Sequence, residues 1–366
     1  MGFGPRALEV LELSAAAVTR EFWGGKRVLV TGHTGFKGAW LTLWLQRLGA
    51  HVTGLALAPP SHPALFELAG VERLCASACV DIRDARATRE RIEEARPDIV
   101  FHLAAQSLVR PSYDEPLATF ATNTMGTVHV LEALRATPCV RVAVVVTTDK
   151  VYRNLEQGSA FAEADPLGGH DPYSASKAAS EVAIESYRAA FLAPKGVAVA
   201  SARAGNVIGG GDWAQDRLVP DAVRAWAAGV ALDVRRPDAV RPWQHVLEPL
   251  HGYLVLAQEL WDNPQRAGAY NFGPGAGKAR HVREVVTQLQ RGWPGAQVHF
   301  ATAEAGPHEA RLLALDTRKI EGLGVRARWE LDEAIARTVA WYRDQQAGRD
   351  ARDLCLQDIE AYEAAG

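Results

Sequence analysis

With 366 residues, 48% of them hydrophobic and 23% charged, the chain is long enough to bury a substantial core and reads as an ordinary globular protein. Forty basic against forty-three acidic side chains leave a formal net charge of −3, so there is no basic field for nucleic acid and any phosphate has to be held locally. Cys75, Cys79, Cys139 and Cys355 are scattered at spacings unlike zinc or redox motifs, which makes reduced thiols, no metal and a cytoplasmic address the expectation. No apolar run reaches the roughly 20 residues of a membrane span, and Arg6, Glu9, Glu12, Arg20 and Glu21 interrupt any signal-peptide core.

Residues 1–24, rich in Leu, Ala and Glu, read as a helical extension before the first strand. Arg27-Val-Leu-Val-Thr31 is a short apolar strand, followed by glycine turns and an apolar helical stretch over 39–48. Strand patterns continue at 51–57, 76–80, 98–103, 142–148 and 197–204, with helical patterns at 83–95, 116–135 and 175–192 between most of them. This alternation predicts an α/β fold with a doubly wound parallel Rossmann sheet over 25–204. After about Ala204 it breaks into Gly209-Gly210-Gly211, a helix over 219–228 and irregular segments. A short strand near Tyr270-Asn271-Phe272 and amphipathic helices near 281–291 and 331–347 complete the chain. We expect 205–366 to form mainly a smaller C-terminal lobe over the strand ends, where open α/β sheets bind ligands, with some segments returning to the sheet. There is no internal repeat.

Thr31-Gly32-His33-Thr34-Gly35-Phe36-Lys37-Gly38 joins the first strand to the first helix with glycines at a three-residue period. Missing Cβ atoms let the turn close, let the backbone approach a pyrophosphate, and aim the helix N-terminus at the anion. A second strand ending in Asp or Glu marks NAD, and a nearby Arg marks NADP. Here Gly54-Leu-Ala-Leu-Ala-Pro-Pro60 offers neither, so NADP stays open beside NAD. Asp81 and Ile82, just after the third strand, could meet an adenine or form a surface turn.

Tyr173 and Lys177, four residues apart at a helix start, share one face. The ammonium can lower the phenol's pKa from about 10 and make it a general base. With Thr147-Thr148-Asp149-Lys150 closing the preceding strand, the pair gains specificity.

These features resemble the extended short-chain dehydrogenase/reductases and, within them, the sugar-nucleotide 4,6-dehydratases, most closely those acting on CDP-glucose. The resemblance rests on Val30–Gly38, on Phe101-His-Leu-Ala-Ala-Gln106 with Val109-Arg110, and on Thr148-Asp149-Lys150. Further along it includes Arg203–Trp213, Arg241-Pro-Trp-Gln-His-Val246, Asn271-Phe-Gly-Pro274 and Pro307-His308-Glu309. It implies a lyase of deoxysugar pathways that oxidises C4, eliminates water across C5 and C6, and returns the hydride to C6 on a cofactor that stays bound. It places Gly32, Thr34, Gly35, Phe36, Lys37, Gly38, Asp81, Ile82, Ala104, Ala105, Gln106, Asn123, Tyr173 and Lys177 around the dinucleotide, with Asn123 orienting the lysine through water.

By the same resemblance Tyr173 is the C4 base, Thr148 holds the C4 oxygen, and Asp149 is the acid on the leaving oxygen. Lys150 stands where related dehydratases carry a Glu, and is either the C5 base or an electrostatic stabiliser of the enolate. A strand-end salt bridge is the plainer alternative. Arg241 and Asn206 suit phosphoryl oxygens, with Arg110, Trp213, Gln244 and His308 as further substrate contacts. Tryptophans such as Trp213 and Trp243 are more often core or lobe packing, and Arg203 could equally be structural. A sugar-nucleotide epimerase would need no acid–base pair at 149 and 150, and a non-enzymatic dinucleotide sensor no Tyr–Lys pair. The nucleotide base rests on resemblance alone, as does a homodimer through helices 116–135 and 175–192.

Overall fold

The computed structural model describes residues 17–155, 158–275, 277–302 and 312–366. Most of the expected N-terminal extension, 1–16, lies outside the described residues; the remainder forms a single turn of helix, Arg20–Trp23, whose Trp23 is buried.

Seven parallel strands form the sheet: β1 (Arg27–Thr31), β2 (His51–Ala56), β3 (Ala76–Cys79), β4 (Ile99–His102), β5 (Val142–Val146), β6 (Ala198–Ala204) and β7 (Ala269–Phe272), in the spatial order 3-2-1-4-5-6-7. The central strands are almost continuous runs of valine, alanine and isoleucine because helices cover both faces. Side chains alternate between two cores, so Val28 and Val30 pack on one face with Phe101 and Val144, while Leu29 packs on the other with Val100 and Val145. The second face is covered by α2 (Ala85–Ala95), α3 (Gly126–Ala136) and α4 (Pro172–Tyr187); the first by α1 (Phe36–Arg47) and α5 (Leu247–Asp262). The helical stretch expected over 116–135 is present, with a π turn at Ala121–Met125 inside it.

The C-terminal half contains more helix than its pattern suggests. α5 falls in a stretch expected to be irregular, and its residues Leu247–Ala257 are all buried, so it shows no polar face from which a helical period can be read. β7 then pairs with β6, placing part of the second half in the sheet itself. Short paired strands, Val207–Ile208 with Gln244–His245, Val240–Arg241 with Arg280–His281 and Leu232–Val234 with Val298–Phe300, build the structure over the strand ends.

Two final helices, α6 (Leu331–Gln346) and α7 (Ala351–Ala364), lock this half onto α1. The Trp40 indole donates to Gly210 O (3.0 Å) and the Trp44 indole to Glu363 (2.9 Å). The buried Glu248 carboxylate accepts from Trp329 N (2.8 Å) and Tyr362 OH (2.7 Å), tying α5 to α7. At Gly210 the backbone passes so close to Trp341 that an added Cβ would sit 2.0 Å from the indole. Gly210→Ala should therefore destabilise the protein by about 1–3 kcal/mol through overpacking, read as a lowered midpoint in urea unfolding; an unchanged midpoint would mean that Trp341 yields freely.

Candidate active site

The turn after β1 is shaped by two glycines whose missing side chains are occupied by backbone. A Cβ on Gly32 (φ +76°) would meet Ala104 N at 2.7 Å, and one on Gly38 would meet Gly32 O at 2.1 Å. Gly35 differs: its φ is −80°, and an added Cβ would meet only Gly32 O at 3.4 Å. It is the N-cap of α1 and supplies no capping side chain. The first N–H groups of α1 thus face open space with their partial positive charge, which is the cradle a pyrophosphate requires. Beneath it, Thr31 Oγ1 accepts from the amides of Leu103 and Ala104 (3.1 Å each) and donates to His102 Nδ1 (2.6 Å). Burial drives the His102 pKa down to about 3, keeping the ring neutral.

From this cradle a cavity of about 850 Å³ runs along the C-terminal ends of the strands, the usual ligand position in a doubly wound sheet. At one end it is lined by Asp81 and Ile82, although the Asp81 carboxylate is held by Arg83 (Nε–Oδ2 2.8 Å), which keeps its pKa low. Past Ala104, Ala105 and Gln106 it reaches Thr148, Asp149, Lys150, Tyr173 and Lys177, and then Arg110, Asn206, Trp213 and Arg241.

Tyr173 is placed by an N-terminal device. Asp171 caps α4 by accepting from Ser174 N (2.9 Å), Pro172 fills the first helical position, and Tyr173 N donates to Ser112 Oγ (3.1 Å). Burial raises the Tyr173 phenol's pKa; Lys150 and a hydrogen bond with Thr148 act against that rise. Lys177, expected to lower the phenol's pKa, instead donates to Val146 O (3.2 Å), and its own pKa is pushed down to about 8 by burial, opposed by Glu181. The cation tuning the phenol here is Lys150, because the backbone carbonyl draws the Lys177 ammonium toward β5.

Asp149 sits in the first turn beyond β5, a 3₁₀ turn capped by Thr148. Its Oδ1 accepts from Thr148 Oγ1 (3.0 Å) and pairs with Lys150 Nζ (3.3 Å), while its buried Oδ2 has no hydrogen-bond partner among the described residues. A buried carboxylate oxygen without a donor is costly, and the residue that carries it lines the cavity.

Lys37, expected only at the cofactor turn, reaches further. Its ammonium donates to Tyr253 OH (3.4 Å), and burial with the neighbouring Arg217 and Lys177 pushes its pKa down to about 7, against Asp149. Three expected contacts stand elsewhere. Asn123 lies behind the cavity wall, where its amide exchanges hydrogen bonds with the backbone of Gln106 (2.8 and 2.9 Å) and donates to Ser176 (2.9 Å), so it braces the wall instead of lining it. Gln244 donates to Phe272 O (3.2 Å) and lines a separate cavity, because its strand pairs with Val207–Ile208 and turns it away. His308 is outside the described residues.

The structure adds side chains that motif reading did not single out. Ser107, Asp212, Asp216, Arg217 and Arg235 all line the cavity. For the charged ones the sequence signals are the cluster Asp212-Trp-Ala-Gln-Asp-Arg217 and the pair Arg235-Arg236; Ser107 has none.

A glycine cradle, a buried Tyr–Lys pair and a neighbouring acid in one cavity define an enzyme of the short-chain dehydrogenase/reductase type. Residues 29–338 match the family described as GDP-mannose 4,6 dehydratase. The chain is 44% identical over 355 residues to the CDP-glucose 4,6-dehydratase of Salmonella typhimurium, covering 95% of this chain and 99% of that one. It is 31% identical over 344 residues to a dTDP-glucose 4,6-dehydratase of Xanthomonas campestris, covering 87% and 93%. Among solved structures, the UDP-glucose 4-epimerase of Thermus thermophilus in complex with NAD superposes with a TM-score of 0.75 at 26% identity, covering 86% of this chain and 98% of that one. The chain belongs to the sugar-nucleotide 4,6-dehydratase family. Among the described residues no helix is long and apolar enough to cross a membrane, and no group of three or more His, Cys, Asp or Glu side chains is placed to hold a metal ion.

Gly35 offers a clean test of the cradle. Gly35→Ala puts a methyl where no protein atom stands and no backbone strain arises, so the melting temperature should fall only by the small cost of alanine at an N-cap, while the affinity for NADH, read by fluorescence titration, falls about tenfold or more. Unchanged affinity would place the dinucleotide elsewhere.

Proposed function

We propose that this protein is a CDP-glucose 4,6-dehydratase, converting CDP-D-glucose to CDP-4-dehydro-6-deoxy-D-glucose and water. The observation that carries this reading is Asp149: a buried carboxylate with one oxygen unpartnered, beside Lys150 and the Tyr173 phenol in a single cavity. An epimerase that only oxidises and reduces C4 has no use for that pair, and the Salmonella relative supports the substrate.

In this reading the Gly32–Gly38 turn and the cavity wall at Asp81, Ala104 and Ala105 would hold a nicotinamide dinucleotide, which would supply a hydride acceptor for C4 and a hydride donor for C6. Tyr173 accepts the C4 hydroxyl proton, and Thr148, within hydrogen-bonding reach of the phenol, holds the C4 oxygen. Lys150, the cation that opposes the rise of the phenol's pKa, favours the phenolate that Tyr173 needs, while the Lys177 ammonium, bonded to Val146 O, ties the helix to β5. Once C4 is a ketone the C5 proton is acidic; Lys150 removes it or stabilises the enolate, and Asp149 protonates the departing C6 oxygen.

NAD is the cofactor we favour, supported by the NAD-bound epimerase. The division at residue 204 between a dinucleotide part and a mainly substrate-binding part, and a cytoplasmic address, are part of the same reading. A homodimer is supported by exposed apolar side chains on the two helical stretches named above: Leu117, Phe120, Met125, Val182 and Phe191.

The deciding experiment is mass spectrometry of the protein incubated separately with CDP-, dTDP-, UDP- and GDP-hexoses, with and without added NAD or NADP. Loss of one water from CDP-glucose is expected; sugar isomers of unchanged mass would make the protein an epimerase. Tyr173→Phe should lower turnover by about 10²–10⁴-fold, the usual worth of a general base. Lys150→Met should allow C4 oxidation but stop water loss, trapping reduced cofactor that absorbs near-ultraviolet light. Lys177 acts as an ammonium, which exists below its pKa, so turnover should fall as pH rises through about 8. Lys177→Arg, if active, should hold turnover to higher pH.

A further inference from the structure

Asp216 occupies the loop between Val207–Ile208 and the helix Leu218–Ala227 and has φ +58°, a left-handed conformation uncommon outside glycine. Its carboxylate lines the cavity. Arg110, on the helix Val109–Asp114 that follows β4, pairs with Oδ1 at 3.2 Å; Arg235, just beyond the strand Leu232–Val234, approaches the same oxygen at 3.5 Å. Arg217 repeats the arrangement, with one end on Asp212 (3.1 Å) and the other on Ser107 Oγ (3.2 Å). Strained backbone that aims a side chain into a cavity is a feature of ligand sites.

These bonds are built to exchange. The side chains of Arg110, Asp216 and Arg235 are 35%, 34% and 43% exposed, so water screens both pairs. The contacts converge on one oxygen, so neither guanidinium is gripped by the bidentate fork that makes an Arg–anion pair strong. A diphosphate carries more charge and more acceptor oxygens than one carboxylate, and it can satisfy both forks.

We propose that Asp216 is an internal competitor for the substrate's anion: a carboxylate that neutralises Arg110 and Arg235 in the unliganded cavity and is displaced when the phosphoryl oxygens of a nucleoside diphosphate sugar take its place. The proposal rests on the nucleotide-sugar reading above. It explains why a pocket meant for a dianion carries a carboxylate between its arginines. Without that carboxylate two guanidinium groups would repel each other in the unliganded enzyme; with it they stay in place, and binding swaps one anion for another.

The test is calorimetry of the full chain, wild type and Asp216→Asn, with three probes: CDP, inorganic pyrophosphate and cytidine. Asparagine keeps the size and tolerates the left-handed backbone, so the circular dichroism spectrum and melting temperature serve as the folding control, and Asp216→Gly, free of backbone strain, provides a second variant. Removing the competing charge should tighten CDP and pyrophosphate about three- to tenfold, on the order of two screened ion pairs, and leave cytidine unchanged. Weaker or unchanged binding of both anions, or no measurable binding of either, overturns the proposal. Tightening of pyrophosphate with no CDP binding would keep Asp216 in its role and remove the CDP reading, whereas CDP binding unaffected by the substitution would do the reverse.

Discussion

Burial of charge at the end of β5 is the constraint on which the rest of this molecule depends. Lys37, Lys150, Lys177 and Asp149 share one site, and Lys37 and Lys177 are pushed to lower pKa chiefly by loss of water. Such groups keep their positions only if the surroundings are rigid and fully hydrogen-bonded. Directly behind the site most of the buried polar atoms are bonded, Arg203 Nε excepted. Glu181, one turn beyond Lys177 on α4, accepts from Thr147 (2.5 Å), Ser201 (2.7 Å) and Arg203 (2.8 Å), and Arg203 donates on to Tyr152 (2.9 Å), whose hydroxyl donates to Asn271 (2.6 Å). This chain crosses β5, α4, β6 and β7, so the position of the Tyr173–Lys177 helix is tied to the sheet by polar bonds as well as by packing. Arg203, which sequence left between substrate contact and structure, belongs to this brace.

Much of the architecture could be read in the sequence because the elements that build it repeat two simple patterns. β1, β4 and β5 are short apolar runs, and the turn at Gly32–Gly38 has no economical use except at a strand-to-helix junction. Elements that escaped reading lack such patterns. α5 is buried on all sides and therefore shows no amphipathic period; it also carries Pro249 and Gly252. Side-chain direction was harder still. Lys37 lies in the glycine motif, yet its four-carbon stem carries the ammonium to Tyr253, which is distant in sequence. Gln244 and Arg241 belong to one motif, but strand pairing sends their side chains to different cavities. Arg217 and Arg235 are ordinary surface-type residues in sequence and gain meaning only when a loop and a strand end bring them to one wall.

The same frame accommodates two chemistries. The Thermus epimerase shares the fold across nearly its whole length, so the sheet, the cradle and the strand-end cavity do not by themselves select a reaction. In the reading proposed above, the turn Thr148-Asp149-Lys150 on the exit of β5, with Lys37, Lys177 and Tyr173 around the same cavity, is what an elimination would add to that frame.

One topological detail bears on how such proteins diversify. The chain leaves the sheet at the end of β6, forms Asn206, Trp213, Asp216, Arg217, Arg235 and Arg241, and returns in β7, which lies beside β6 at the roughly 5 Å spacing of paired strands. The excursion therefore begins and ends on neighbouring strands of one sheet edge. The loops of a segment anchored in this way can be lengthened, shortened or recharged without altering strand register. α5, which lies within the same excursion, packs on the face of the sheet and ties the remainder of the segment to it.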